Sequence, residues 1–283
     1  MIKFINAKLN LGLNIVRKRA DGYHDLETVF YPVGMFNGTP VNPEAFCDIL
    51  EIENSGKTEF AFSGRKVDCP LEKNLVYKAW KVFKDNFPDL AEYRIHLEKH
   101  LPDGAGLGGG SADASAVLTA LNELSGFPFS KFQLMEMALS LGADCPFFIY
   151  NSPCYAEGVG EKLLPVDLDL SGLWCLIVKP EISISTKEAF SGVKPASSDI
   201  KLMDIIKSDV GDWQGLMKND FEMSLFPNHP VLEEIKNEIL ASGASYASMS
   251  GSGSSMFGLF DNKESAVLAS KRFKSHYVAI CKL

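Results

Sequence analysis

The sequence predicts an α+β protein of mixed α/β character, and three observations carry that reading. Helical and strand-like hydrophobic patterns interleave along the whole chain without an internal repeat. Five glycines, Gly104, Gly106, Gly108, Gly109 and Gly110, sit in one short loop between a strand pattern and a helix pattern. The 283 residues are 46% hydrophobic and 23% charged, enough to bury a large core and unlike the polar bias of a disordered chain.

Residues 4–16 alternate Phe4, Ala7, Leu9, Leu11, Leu13 and Ile15 with polar Lys8, Asn10 and Asn14. That spacing predicts a strand with Lys8 and Asn10 on one face. A loop with Asp21, Gly22, Tyr23 and His24 leads to a second strand at 26–33. Residues 48–54 and 57–62 alternate around Ser55-Gly56 and read as a hairpin. Helical spacing at 74–87 stops before Pro88. Residues 93–101 return to period two, which puts Lys99 on the apolar face with Ile95 and Leu97. Ala114, Val117, Leu118, Leu121 and Leu124 trace a helix face that ends at Gly126, and a helix at 131–141 is closed by Gly142. The second half predicts a strand at 174–179, an exposed loop at 194–200, helices near 200–208, 231–241 and 263–275, and a last strand at 277–282. Two domains are expected, 1–160 and 161–283.

Bulk properties remove several function classes. The formal charge is −8, from 28 basic and 36 acidic residues, and the basic ones are dispersed, which weighs against nucleic acid or an anionic membrane as partner. No apolar run reaches membrane-spanning length, and residues 1–5 are too short an apolar run for a signal peptide. The six cysteines form no C-x-x-C pair, so neither a disulfide framework nor a zinc knuckle is expected, and a reducing cytoplasm fits. His96 and His100 are four apart on a strand, about 13 Å, too far to chelate one metal. A monomer or weak homodimer is expected.

The loop from Pro102 to Ser111 carries the chemistry. Amides free of Cβ bulk can approach phosphate oxygens, and the following helix N-terminus adds partial positive charge. A tight turn would explain one or two glycines, but not five. Gly104, Gly106 and Gly109 formally fit G-x-G-x-x-G, yet the dinucleotide fold needs a strand ending in an acid about 20 residues on, where 127–141 reads as helix. No Lys-Ser or Lys-Thr follows the glycines, which excludes a Walker A loop. No H-R-D or D-F-G follows, which excludes a protein kinase.

The run Pro102-Asp103-Gly104-Ala105-Gly106-Leu107-Gly108-Gly109-Gly110-Ser111-Ala112 resembles, residue for residue, the central signature P-x-x-x-G-L-G-(G/S)-(G/S)-S-(A/S) of the GHMP small-molecule kinases, named for galactokinase, homoserine, mevalonate and phosphomevalonate kinases. Residues 7–11 and 249–257 resemble that family's two other motifs. The resemblance implies a two-lobed fold with the active site in the cleft between lobes, ATP as phosphoryl donor, and magnesium, for which no ligand is named. It makes Pro102 to Ala112, with Asn74 and Lys99, the nucleotide site, and Lys8 and Asp144 the catalytic pair. On residues alone, Asp144 would be a turn or cap residue, Lys8 a solvated strand lysine, and Lys99 either a nucleotide contact or a side chain reaching solvent.

The segments 19–26, 74–75, 141–148 and 156–161 resemble one branch of the superfamily, which acts on a cytidine-diphosphate-linked branched tetritol in the non-mevalonate route to isoprenoid precursors. That resemblance implies that Tyr23 and His24 bind the cytidine, with Thr186 and Phe190 as partners across the cleft. Asn10 is left to meet a phosphate or the acceptor, and Asp144 faces the acceptor hydroxyl. Two departures stand out: Asp103 is negative beside a phosphate loop, and Ser254-Ser255-Met256 is a loose third motif. The alternatives are another GHMP kinase, acting on homoserine or mevalonate, and a catalytically silent ligand-binding member of the fold.

Overall fold

A computed structural model of the chain describes residues 1–36, 39–40, 46–67, 69–198 and 200–283. Asp199, within the loop expected at 194–200, lies outside them. The main strands in chain order are β1 (Ile2–Ile5), β2 (Ala7–Lys18), β3 (His24–Val33), β4 (Asp48–Asn54), β5 (Glu59–Gly64), β6 (Tyr93–Lys99), β7 (Cys154–Glu157), β8 (Lys162–Pro165), β9 (Trp174–Lys179), β10 (Tyr246–Met249), β11 (Met256–Phe260) and β12 (Tyr277–Lys282). The α-helices are α1 (Leu75–Asn86), α2 (Gly109–Leu124), α3 (Lys131–Leu141), α4 (Cys145–Tyr150), α5 (Thr186–Ser191), α6 (Leu202–Ile205), α7 (Asp220–Leu225), α8 (Pro230–Ala241) and α9 (Lys263–Ser270). The fold is α+β, as its pattern predicts.

Two compact units share the chain. One takes Met1–Ala7, Asn37–Asp103 and Gly108–Ser152, and the other Lys8–Phe36, Gly104–Leu107 and Pro153–Leu283. The sequence reading cuts once, at 160/161. Here β3 pairs antiparallel with β7, Thr28 opposite Ala156, so β2 and β3 group with the later residues.

In the first unit a four-stranded sheet has the order β1-β4-β6-β5. The expected hairpin of 48–54 with 57–62 does not form, because β6 lies between β4 and β5. Leu50 and Ile52 of β4 stand opposite Leu97 and Ile95 of β6 in antiparallel register, which matches one buried apolar alternation to another. β5 pairs with β6 in parallel, and a parallel pair needs a crossover, which α1 supplies. Asn74 starts α1 by accepting from Val76 N at 2.9 Å, and Pro88 ends the pattern. α2 packs on α1, α3 and α4 through Ala114, Val117, Leu118 and Leu121. Leu124, expected on the same face, is 36% exposed in the last turn.

The second unit holds two sheets, β8-β7-β3-β2 and β10-β11-β9-β12. Leu176, Val178, Met249, Met256 and Phe260 from the latter meet Phe221, Leu232, Ile235 and Ile239 of the helices in one core. The strand expected at 4–16 breaks at Asn6, where β1 leaves to pair with β4. Every residue from Ala7 to Ile15 in β2 is buried, so the polar residues of its alternation are inside the protein. Burying such groups is costly unless they are bonded, which makes this strand the place to look for chemistry. Among the described residues no helix is long and apolar enough to cross a membrane.

Candidate active site

Lys8 is 3% exposed. Its ammonium donates to Asn10 Oδ1 and to the Gly106 carbonyl at 2.9 Å, and lies 5.3 Å from the Phe30 ring centroid. The backbone brings β2 to the glycine loop, since Lys8 N donates to Leu107 O at 3.0 Å. Gly106 is at φ +73, and a Cβ there would collide with the Ser250 carbonyl, so glycine is required. Ser250 Oγ donates to Gly106 O at 2.9 Å, and Ser255 N to Ala105 O at 3.2 Å. Residues 8–10, 104–107 and 250–255 thereby converge.

That convergence is braced by residues the sequence reading missed. Asn219 Nδ2 donates to Met249 O and Gly251 O, each at 2.8 Å. Glu222 accepts from Ser248 Oγ at 3.0 Å, Met249 N at 2.8 Å and Lys236 Nζ at 2.5 Å. The only sequence signal for them was an Asn before a short helix, a cap pattern, and Asn219 does cap α7.

The residues expected at the cytidine, Tyr23, His24, Thr186 and Phe190, lie in the same unit. Arg19 N donates to Tyr23 O at 2.8 Å and Tyr23 N to Asp21 Oδ1 at 3.0 Å, while Arg17–Asp25 and Arg19–Asp21 ion pairs (2.5 and 2.8 Å) lace the turn. Tyr23 is left 65% exposed. His24 stacks on Phe190, with centroids 4.6 Å apart and planes at 19°, and Phe190 meets Phe221 edge-on. Inserting a base between His24 and Phe190 would require about 7 Å, so this geometry makes Phe190 the support of His24 and leaves Tyr23 as the open aromatic face. Burial, and then the charge of Lys18, lower the His24 pKa, which keeps the imidazole neutral at pH 7. Thr186 is exposed at the start of α5, a helix the sequence reading missed.

In the other unit Gly108, at φ +72, opens α2, whose first turn contains Gly109, Gly110, Ser111 and Ala112. Lys99, expected at the nucleotide or in solvent, does not reach solvent. It is 2% exposed, and its ammonium meets Asp48 Oδ2 at 2.5 Å and Asp113 Oδ2 at 2.7 Å. Asp48 Oδ1 accepts from His100 N and Leu101 N at 2.6 and 2.8 Å. A cation on an apolar strand face needs acidic partners, and the fold supplies one carboxyl from β4 and one from α2. The triad ties the strand end before Pro102 to the helix that follows the glycines. Asp103 is exposed, and the acceptor oxygen of Asn74 is committed to the cap of α1.

The triad has two carboxyls for one ammonium. Burial opposes the charge of Lys99, but Asp113 and Asp48 outweigh it and raise its pKa. Burial raises Asp113 to about 8, against the pull of Lys99 and with the help of Asp48. Asp113 is thus the carboxyl that burial drives toward its protonated form, while both oxygens of Asp48 are engaged by Lys99 and two backbone amides. Asp113 Oδ1 has no hydrogen-bond partner among the described residues, in keeping with a carboxyl that is poorly compensated as an anion.

Asp144 is half-buried at the N-cap position of α4 (φ −80°, ψ −16°), but its side chain makes no capping hydrogen bond. Cys145 N donates to Gly142 O at 3.1 Å and Ser115 Oγ to Cys145 O at 2.8 Å, which fixes the bend that carries the carboxylate. Among the described residues no group of three or more His, Cys, Asp or Glu could hold a metal. Asn10, expected at a phosphate or the acceptor, uses Oδ1 for Lys8 and donates from Nδ2 to Thr28 Oγ1 at 3.0 Å.

Residues 74–152 match the family described as GHMP kinases N terminal domain, and residues 202–279 the one described as GHMP kinases C terminal. The chain is 49% identical over 261 residues to a 4-diphosphocytidyl-2-C-methyl-D-erythritol kinase of Parabacteroides distasonis, covering 92% of each. It is 50% identical over 268 residues to one of Bacteroides fragilis, covering 93% of each. A crystal structure of 4-(cytidine 5'-diphospho)-2C-methyl-D-erythritol kinase matches with a TM-score of 0.83 at 31% identity, over 99% of this chain and 98% of that one.

The Asp113 carboxyl has a direct consequence for stability. Its folded pKa of about 8 exceeds an unfolded value of about 3.9. Its contribution is therefore fully present below about pH 4 and is lost as pH rises through about 8. The Tm of Asp113→Asn minus that of the wild type is expected to rise between pH 6 and 8 and to level off above. Thermal unfolding at a series of pH values measures it, and a difference independent of pH would contradict the assignment.

Proposed function

The chain belongs to the 4-diphosphocytidyl-2-C-methyl-D-erythritol kinases, within the GHMP kinases, and from that membership we propose that it transfers the γ-phosphoryl group of ATP to the 2-hydroxyl of 4-diphosphocytidyl-2-C-methyl-D-erythritol. The observation that carries the site assignment is the buried Lys8 ammonium held against the carbonyl of Gly106 in the phosphate loop. An ammonium in so dry a place acts at lower dielectric than in water, where its effect on developing phosphate charge is largest.

In this reading the amides of residues 104–111 cradle the β- and γ-phosphates. Asp144, on its bend and not committed to capping α4, accepts the proton of the attacking hydroxyl. The new bond joins that oxygen to phosphorus, the bond from phosphorus to the β-phosphate oxygen breaks, and ADP leaves without a covalent enzyme intermediate. Lys8 offsets charge on the transferring group. Magnesium, bound with the nucleotide, would supply neutralisation of the phosphate charge.

The cytidine end falls to the exposed Tyr23 ring for stacking and to neutral His24, propped on Phe190, for the polar edge of the base. Thr186, at the start of the same helix as Phe190, is assigned to this end, and Asn74 to the nucleotide. The work is assigned to the cytoplasm, in keeping with six cysteines that are all free thiols.

ADP release, followed by a coupled assay over the cytidine-linked tetritol, homoserine and mevalonate, is expected with the first alone and to require magnesium. Asp144→Asn is expected to lower kcat by about 10²–10⁴ with little change in either KM. Turnover on homoserine or mevalonate instead would reject the substrate, and an active Asp144→Asn variant would reject the base.

A further inference from the structure

Thr28 is fully buried in β3, and its hydroxyl has one proton. That proton goes to the Gly12 carbonyl, 2.5 Å away, because a carbonyl can only accept. The remaining contact of the hydroxyl is the side-chain amide of Asn10, at 3.0 Å, and toward it Thr28 can only accept. The atom of Asn10 that faces Thr28 must then be the nitrogen, so its oxygen must face the Lys8 ammonium. The reverse orientation would set an NH₂ against an NH₃⁺ and two acceptors against each other.

The same logic closes around Lys8. Asn10 N donates to Ser250 Oγ at 3.3 Å, Ser250 Oγ donates to Gly106 O at 2.9 Å, and Lys8 donates to Gly106 O and to Asn10 Oδ1. Of the two oxygens that Lys8 meets in this ring, the Gly106 carbonyl can only accept, whereas the Asn10 amide could be turned and is fixed by the Thr28 hydroxyl behind it. The Ser250 side belongs to the third motif, whereas the Thr28 side falls in none of them.

We propose that Thr28 is a positioning residue for phosphoryl transfer, acting by locking the Asn10 amide with its oxygen toward Lys8. It touches no substrate. The inference rests on the role proposed above for Lys8, and it makes Asn10 a holder of the catalytic cation.

The test is steady-state kinetics of Thr28→Val, Thr28→Ser and Lys8→Met, measured well below the Tm of each. Valine keeps the shape of threonine and lacks the hydroxyl, and serine keeps the hydroxyl. Thr28→Val is expected to lower kcat about tenfold or more, with both KM values within about twofold of the wild type, because the amide then loses its orienting acceptor while the binding surfaces stay. Thr28→Ser is expected to stay within about threefold in kcat. A purely structural role would show as a lower Tm without that split. The proposal is overturned if Thr28→Val keeps kcat within about twofold, or if the serine and valine variants lose kcat alike. Should Thr28→Val not fold, Thr28→Cys, whose sulfur is a poor acceptor, replaces it, and a kcat equal to that of Thr28→Ser overturns the proposal. If Lys8→Met retains turnover, the reading of Lys8 fails and this inference with it. An inactive Lys8→Met beside a fully active Thr28→Val removes the Thr28 inference alone.

Discussion

One carbonyl oxygen, that of Gly106, organises the second unit. It accepts from the Lys8 ammonium and the Ser250 hydroxyl at 2.9 Å each, and a Cβ at residue 106 would collide with the Ser250 carbonyl. A buried ammonium is expensive unless its protons are taken up. The glycine loop therefore offers its Gly106 carbonyl inward, to Lys8 and Ser250. Three segments some hundred residues apart in sequence are drawn together by that requirement, and the helix cap at Asn219 and the carboxylate of Glu222 hold the third of them in place.

A second buried lysine roots the far side of the loop. Lys99 ends β6 just before the glycines, and its partners come from β4 and from the second turn of α2. Removing one member of such a group leaves an uncompensated charge, typically worth about 3–5 kcal/mol, so the triad fixes the end of β6 against β4 and α2. In sequence Lys8 falls on the polar face of its strand and Lys99 on the apolar face of its own, yet both are buried. Lys8 donates to the Gly106 carbonyl and to Asn10 Oδ1, whereas Lys99 sits between two carboxyls.

Much of this was legible in the sequence, for identifiable reasons. Period-two alternation in β2 and β6 and helical periodicity in α1, α2 and α3 each extend over enough residues to show, and the five glycines announce an anion loop without any context. What was not legible depends on which strands become neighbours. The partners of Lys99 are 51 and 14 residues away, and the false hairpin of β4 with β5 shows that local turn chemistry does not reveal that β6 will insert between them. The helices α5 and α7 span six residues each, less than two turns, so no period could reveal them, although they carry Thr186 and Phe190 and follow Asn219. Thr28 reads as an ordinary β-branched strand residue, and its role emerges only from counting protons among buried neighbours.

The claim on which the rest turns is that the amides of residues 104–111 and the Lys8 ammonium together receive the terminal phosphates of ATP. A crystal structure with a non-hydrolysable ATP analogue and magnesium tests it directly. The account predicts β- and γ-phosphate oxygens about 3 Å from those amides, with Lys8 directed at the γ-phosphate. Phosphates bound elsewhere on the protein, with the loop amides unliganded, would contradict it.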